Sequence, residues 1–355
     1  MSDELENGVL QILPLFKTYF LEIAGKITSS KVMDVEFVET KTTSNRGRGG
    51  TLLISDVTFN VILNEDTLFP LTRKIAIKFA QDLKSAIKEM KNSMLLESKY
   101  SGHPRFGTPK ILYGNTHDPI ILLYEGIDGV NYDVCDSVPN KSYYAGKLLS
   151  ILHSSNLQPV DDLLYQNYVR KIVQYFATTG MEREISISMG QEFNRIKGIS
   201  SGAVIHSDFH QSNVMLTTGY DGSVHKVYVI DPEFMTTGHY DRMEDVGTFF
   251  GNQALIEFTK SKNILNTIRD IKIFLMGYNE NLANSPQKLN LNTIYPNGIP
   301  LAFFISLWAL LDALDYVMTR TEGNSLDHPE VIIRINFGLF CLRSKELAEL
   351  SEIKF

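Results

Sequence analysis

Cysteine is scarce in this chain: Cys135 and Cys341 are the only two in 355 residues. They stand far apart and in no C-x-x-C spacing, which excludes a disulfide framework and a structural zinc site; they read as reduced thiols. Basic charge is not in excess either. The 34 Lys and Arg against 41 Asp and Glu leave a net charge of -7, which argues against nucleic acid or an anionic membrane as the main partner. No apolar run reaches membrane-spanning length, and the opening M-S-D-E-L-E lacks the basic region of a secretory signal. Internal repeats and low-complexity segments are missing too. The expectation is a soluble, cytoplasmic protein whose partner is a small molecule.

What is present is ample apolar material. Hydrophobic residues make up 43% of a chain longer than one compact core usually holds, so two lobes are expected. From Leu5 to Ile27 the apolar residues recur at helical spacing, with Pro14 as a break. Met33 to Leu63 reads as a hairpin with a long, glycine-rich, basic tip, T-T-S-N-R-G-R-G-G-T. A strand K-I-A-I-K-F-A, a helix from Lys84 to Tyr100 and a strand pair, I-L-Y-G-N and P-I-I-L-L-Y-E-G, follow. Beyond I-D-G-V-N-Y the pattern is helical: Y-Y-A-G-K-L-L-S-I-L-H-S-S, then Val160 to Lys197, then the stretch from Asp245 to the end. Short strands I-H-S-D, V-M-L and V-Y-V-I-D interrupt it. This divides the chain into a sheet-rich lobe, residues 1–125, and a helical lobe, residues 126–355, with a ligand cleft expected where polar loops meet.

The stretch V-I-H-S-D-F-H-Q-S-N-V-M-L, from Val204 to Leu216, concentrates the chemistry. Phosphoryl transfer needs an acceptor for the hydroxyl proton and oxygen ligands that hold magnesium against nucleotide phosphates. His206, Asp208 and Asn213 have the spacing of the kinase catalytic loop H-R-D-x-x-x-x-N, and Asp231 closes the apolar strand V-Y-V-I-D. Lys78 in I-A-I-K-F matches the V-A-I-K pattern of a phosphate-gripping lysine. Its partner should be a glutamate of the next helix; Glu97 is the expectation and Glu89 the fallback.

With these motifs in order, the chain resembles the aminoglycoside phosphotransferase and choline kinase superfamily, a protein-kinase-like fold acting on small molecules. I-H-S-D-F-H-Q-S-N-V-M-L resembles its H-G-D-x-H-x-x-N, with Ser207 at the usual glycine. I-D-P-E-F resembles its second magnesium motif, and G-K-L-L-S-I-L-H-S the helix before the catalytic loop. The resemblance implies a bilobal α+β fold with an antiparallel-sheet N-terminal lobe, ATP or GTP as donor, and Mg2+. It implies Asp208 as catalytic base, Asn213 and Asp231 as metal ligands and Lys78 as phosphate anchor. Asp245 would brace the catalytic loop, His206 would be scaffold, and Glu233 would assist metal or substrate. The connecting segment near Glu125 and Ile127 would meet the nucleotide base. The tip S-N-R-G-R-G-G-T has no G-x-G-x-x-G, and Arg48 or Arg46 is its candidate phosphate contact.

Two other readings stay open on the residues alone. His206, Asp208 and His210 form H-x-D-x-H, which a metal-dependent hydrolase could use. A nucleotide-binding regulator without catalysis would keep the same fold. The segment between Asp231 and Asp245 is too short for the activation segment of a peptide kinase and holds no A-P-E, which favours a small hydroxyl acceptor. Trp308, Asp312 and Asp315 share one face of a helix at i, i+4, i+7, a candidate surface for a cationic substrate, although such a tryptophan is more commonly core.

Overall fold

The computed structural model describes residues 8–28, 31–47, 50–64, 67–115, 119–135, 138–157, 203–237, 242–282, 300–320, 327–345 and 347. The expected helix from Val160 to Lys197 lies outside them. The chain divides into two compact units, Met1–Ser101 with Gly107–Gly129, and Gly102–Phe106 with Val130–Phe355. Among the described residues no helix is long and apolar enough to cross a membrane.

The first unit is built on one antiparallel sheet. Strands β1 (Asp34–Gly47), β2 (Gly50–Asn64), β3 (Thr67–Ala80), β5 (Ile111–Asn115) and β6 (Ile121–Glu125) lie in the order β1-β2-β3-β6-β5. Alternation along the strands assigns each face, because successive side chains point to opposite sides. Ile75 and Ile77 of β3 and Ile121 and Leu123 of β6 join one core with Phe20 and Ala24 of helix α1 (Lys17–Thr28). Ala76 of β3 and Leu122 and Tyr124 of β6 face the other way, onto Ala86 and Met90 of helix α2 (Leu83–Tyr100). Lys78 shares this second face. Asp82 caps α2 by accepting the Ser85 amide at 2.8 Å, and Pro14 opens a short 3-10 turn, Leu13–Phe16, that redirects the chain into α1.

The long basic hairpin tip is not observed. β1 and β2 stay paired to Arg46↔Thr51 and Gly47↔Gly50, so most of S-N-R-G-R-G-G-T is strand. Thr42, Thr43 and Thr51 are β-branched and favour the extended ladder, and Gly47 and Gly50 face each other within it. Arg48 lies outside the described residues, and the side chain of Arg46 is not described.

The second unit combines helices with small sheets. Helices α3 (Lys141–His153), α4 (Met243–Ser261), α5 (Leu265–Asn281), α6 (Pro300–Arg320) and α7 (Pro329–Arg343) surround strands β9 (Val214–Thr218) and β10 (Val224–Val229). These pair antiparallel in the sheet β4-β10-β9-β7, where β4 is Phe106–Gly107 and β7 is Val130–Asn131. The turn between β9 and β10 places Gly222 at φ 76, the left-handed region glycine enters without strain. Strand β8 is only Val204–Ile205, paired to β11 (Thr236–Thr237). The expected strand I-H-S-D ends early because Ser207 turns to φ 63.

Glycine sets two helix contacts. A Cβ on Gly146 of α3 would lie 2.0 Å from the carbonyl oxygen of Phe274 on α5, and one on Gly277 of α5 would lie 2.0 Å from that of Tyr143. The backbones of α3 and α5 therefore touch, which no larger residue permits.

Candidate active site

The segment from His206 to Asn213 is held by its hydrophobic member. Phe209 is fully buried and stacks on Phe249 of α4, with ring centroids 5.3 Å apart. Its neighbours Asp208 and His210 stay 34% and 36% exposed, with Asp208 Oδ2 3.6 Å from His210 Nε2. A D-F-H sequence thus anchors one residue and presents two.

Asn213 ties this loop together. Its Nδ2 donates to the Asp208 backbone oxygen at 3.0 Å and to Asp208 Oδ2 at 3.3 Å. Its backbone oxygen accepts Ile230 N at 3.0 Å, next to Asp231. Asp231 itself takes a left-handed backbone, φ 57 and ψ 62, and precedes the 3-10 turn Pro232–Phe234 that carries Glu233. Carboxylate and amide oxygens are the ligands a hard divalent cation takes, and with Nδ2 of Asn213 turned to Asp208 its oxygen is the amide atom offered on the other side. Asn213 and Asp231 carry oxygen atoms of the kind that could hold a magnesium ion.

Behind the loop lies a buried network. Asp245, in the first turn of α4, accepts the His206 amide with Oδ2 and the Ser207 amide with Oδ1, both at 2.8 Å. His153, the last residue of α3, meets Asp245 Oδ2 through Nε2 at 2.9 Å and Tyr278 of α5 through Nδ1 at 2.8 Å. A carboxylate only accepts, so Nε2 carries the proton and Nδ1 accepts from the tyrosine hydroxyl. Burial outweighs the pull of Asp245 and holds His153 below its ordinary value of 6.5. Burial lowers His206 in the same way, and its Nε2 donates to the Ile230 carbonyl at 3.1 Å, so it steadies the residue before Asp231. His153 and Tyr278 were not singled out in the sequence; the signal was present only as the histidine closing L-S-I-L-H.

The loop is braced from two more directions. Gln211 Nε2 donates to Gln253 Oε1 of α4 at 2.7 Å, and Gln253 Nε2 to Asp270 Oδ2 of α5 at 2.7 Å. Asn131 Nδ2 reaches the Ser212 carbonyl at 3.1 Å, and the Ser212 hydroxyl donates to Asp133 at 2.6 Å. Among the described residues, His206, Asp208 and His210 do not converge into a three-ligand group, because His206 points at a backbone carbonyl. That geometry disfavours the hydrolase reading.

In the first unit, Lys78 Nζ stands 2.7 Å from Glu89 Oε2, the side chains 12% and 4% exposed. The expected partner Glu97 is thereby corrected to Glu89. Eight residues of helix separate them, about 12 Å along α2, so both cannot face one strand residue. Tyr124 on β6 donates to Glu89 Oε1 at 2.8 Å. At the end of β6, Glu125 N donates to Lys110 O at 2.8 Å and Gly126 N to Lys74 O at 3.0 Å, which fixes the path leading to Ile127. Gly126 approaches so closely that a Cβ would lie 2.5 Å from the Lys74 carbonyl carbon.

The helix face bearing Trp308, Asp312 and Asp315 is used for packing. Trp308 covers Gly251 of α4, where a Cβ would lie 2.3 Å from the indole. Asp312 meets Arg334 Nε of α7 at 2.6 Å, and Arg334 also bonds Glu330 at 2.7 Å. The carboxylate expected to face a cationic substrate is thus already paired with a cation of the fold, and Asp315, one turn on, is half-buried.

Solved structures with this architecture exist. A choline/ethanolamine kinase family protein from Mesorhizobium loti superimposes with a TM-score of 0.54 at 9% identity, covering 88% of this chain and 92% of that one. The fold is protein-kinase-like. Choline kinase LicA from Streptococcus pneumoniae matches it at TM-score 0.50 and 13% identity, over 92% of this chain and 98% of that one. The GDP complex of aminoglycoside 2'-phosphotransferase-IIIa matches at TM-score 0.50 and 11% identity, over 91% and 97%. No family model matches the sequence, and no curated protein does. At these identities the likeness is one of fold: an antiparallel-sheet unit followed by a helical one, α+β and protein-kinase-like.

Proposed function

We propose that this chain transfers the γ-phosphoryl group of ATP or GTP to a hydroxyl of a small molecule, a choline-, aminoglycoside- or sugar-like metabolite. The observation that carries the reading is the position of Asn213, which holds the Asp208 carboxylate with its side chain and the strand end before Asp231 with its backbone. Base and metal-binding groups are thereby parts of one hydrogen-bonded unit, as in-line transfer demands.

Asp208 accepts the hydroxyl hydrogen bond and takes the proton as the new O–P bond forms and the bond to the departing nucleoside diphosphate breaks. Its one-third exposure leaves the carboxylate reachable by an acceptor. Asn213 and Asp231 would hold magnesium, which when bound supplies positive charge to the phosphates. Lys78, paired with Glu89, anchors phosphate oxygens. Glu125 and Ile127 offer backbone groups to the nucleotide base, and Glu233, beside Asp231, assists metal or substrate.

The test is phosphoryl transfer from ATP and from GTP, with magnesium, to a panel of hydroxylated metabolites, run beside Asp208→Asn. Transfer to at least one acceptor that Asp208→Asn abolishes supports the reading. Nucleotide binding without transfer to any acceptor favours a regulator, and bound zinc or iron with hydrolysis of esters would overturn it.

A further inference from the structure

The ion pair between Lys78 and Glu89 is buried, and a buried carboxylate needs partners for both oxygens to offset its lost hydration. Oε2 has Lys78 at 2.7 Å, and Oε1 has the Tyr124 hydroxyl at 2.8 Å. We propose that Tyr124 is a positioning residue for the phosphate-anchoring lysine: its hydroxyl locks the Glu89 carboxylate in the rotation that presents Oε2 to Lys78. The inference rests on the phosphotransferase reading for its catalytic meaning, while the arrangement it describes is internal to the first unit.

Packing alone does not account for a tyrosine here. The ring lies in an apolar cluster with Leu122, Ala86, Ala76 and Met90, where phenylalanine would fill the same volume. The hydroxyl is directed at α2, where it also lies 3.5 Å from Ser93 Oγ, one turn after Glu89 on the same helix face. One phenolic group therefore links β6 to two successive turns of the helix that carries the glutamate. Register explains how it reaches them. Lys78 pairs with Leu122 and Ala76 with Tyr124 across β3 and β6, so Lys78 and Tyr124 occupy the same face one step apart along the ladder. Tyr124 is also the residue before Glu125. The strand end assigned to the base is fixed by its own backbone bonds, Glu125 N to Lys110 O and Gly126 N to Lys74 O, whereas the lysine assigned to the phosphates depends on the Tyr124 hydroxyl through Glu89, which makes the residue a determinant of how strongly phosphates, as opposed to the nucleoside, are held.

The experiment is calorimetric titration of ADP and GDP with magnesium, and of the matching nucleosides, into the wild type, Tyr124→Phe, Glu89→Gln and the double variant. Tyr124→Phe should weaken the diphosphate roughly tenfold, the size of one hydrogen bond to a charged group, and leave nucleoside affinity unchanged. In the Glu89→Gln background it should add nothing, because the group it acts through is gone. Equal losses for diphosphate and nucleoside, or an additive loss in the double variant, would overturn the proposal. A second arm needs no nucleotide: the rate of Lys78 acylation by an amine-reactive ester, read by mass spectrometry, should rise in Tyr124→Phe as the ion pair loosens. If the wild type binds no nucleotide, the phosphotransferase reading falls; an unchanged acylation rate in Tyr124→Phe sinks the positioning role by itself.

Discussion

His153 and Asp245 share a hydrogen bond of 2.9 Å in which neither side chain is exposed to solvent. Through it the end of α3 and the start of α4 are joined to the backbone of the loop that carries Asp208. Every group around this carboxylate that bonds it is a donor: the His153 ring and the amides of His206 and Ser207. Asp245→Asn would set an amide nitrogen against at least one of them. A loss of about 3 kcal/mol in stability is expected, with turnover per folded molecule also reduced as the loop relaxes; urea unfolding and active-site titration check it. A stability within about 0.5 kcal/mol of the wild type would contradict the network's role.

Acid should weaken the fold through His153. The groups facing its ring are Tyr278, Asp245, Arg242 and His206, and burial holds it below 6.5. The folded chain therefore binds this proton less readily than the unfolded chain does. The contribution is whole above about pH 6.5 and is lost as the pH falls below that value, with a slope of at most about 1.4 kcal/mol per pH unit. Burial lowers His206 as well, so unfolding free energy measured from pH 7.5 to 5 should fall with a share from each histidine, and His153→Gln should remove only its own share of the slope.

Asp208→Asn keeps volume and removes the charge proposed to accept the proton. A fall in kcat of roughly 10²- to 10⁴-fold with nucleotide Kd unchanged is expected. Asp231→Asn should instead raise the magnesium concentration at half-maximal rate. Reversal of these two phenotypes would exchange the assigned roles.

Glu89 and Glu97 make a matched comparison on one helix. Glu89→Gln removes the charge that faces Lys78 and should both destabilise the first unit, by about 3–5 kcal/mol, and weaken nucleotide binding. Glu97→Gln should leave both within experimental scatter. Thermal unfolding and ADP titration of the two variants decide between them.

Gly146→Ala tests the contact of α3 with α5. In a solvent-facing helix this change gains up to about 1 kcal/mol. Here the new methyl meets the Phe274 carbonyl oxygen at 2.0 Å, so a loss of about 1–3 kcal/mol is expected instead. A raised unfolding midpoint would mean the helices can part without cost.

The loop from His206 to Asn213 was legible in the sequence because its chemistry is local: spacing alone sets which residues share it. The Lys78 strand was legible for the same reason. Glu89 was harder, since a helix offers a glutamate every few residues and only the packing angle of α2 selects the turn that meets β3. Tyr124, His153 and Tyr278 act across elements, and an apolar pattern reads their rings while hiding their polar ends. The hairpin tip misled because Gly47 and Gly50 pair with each other instead of opening a loop. Trp308 and Asp312 lay on one helix face as expected, but Gly251 and Arg334, distant in sequence, had claimed them.

The two-faced packing of β3 gives the first unit an error-checking property. Ile77 lies against the aromatic side of the sheet and Lys78 against α2, so a slip of one residue along the ladder exchanges an isoleucine for an ammonium group. No intermediate register places the lysine partly correctly. A mis-paired strand would drive a charge among Phe20 and Phe59, and such a chain would be rejected by its own core before it could bind anything. Correct placement of Lys78 beside Glu89 and completion of folding are, in this strand, a single yes-or-no event.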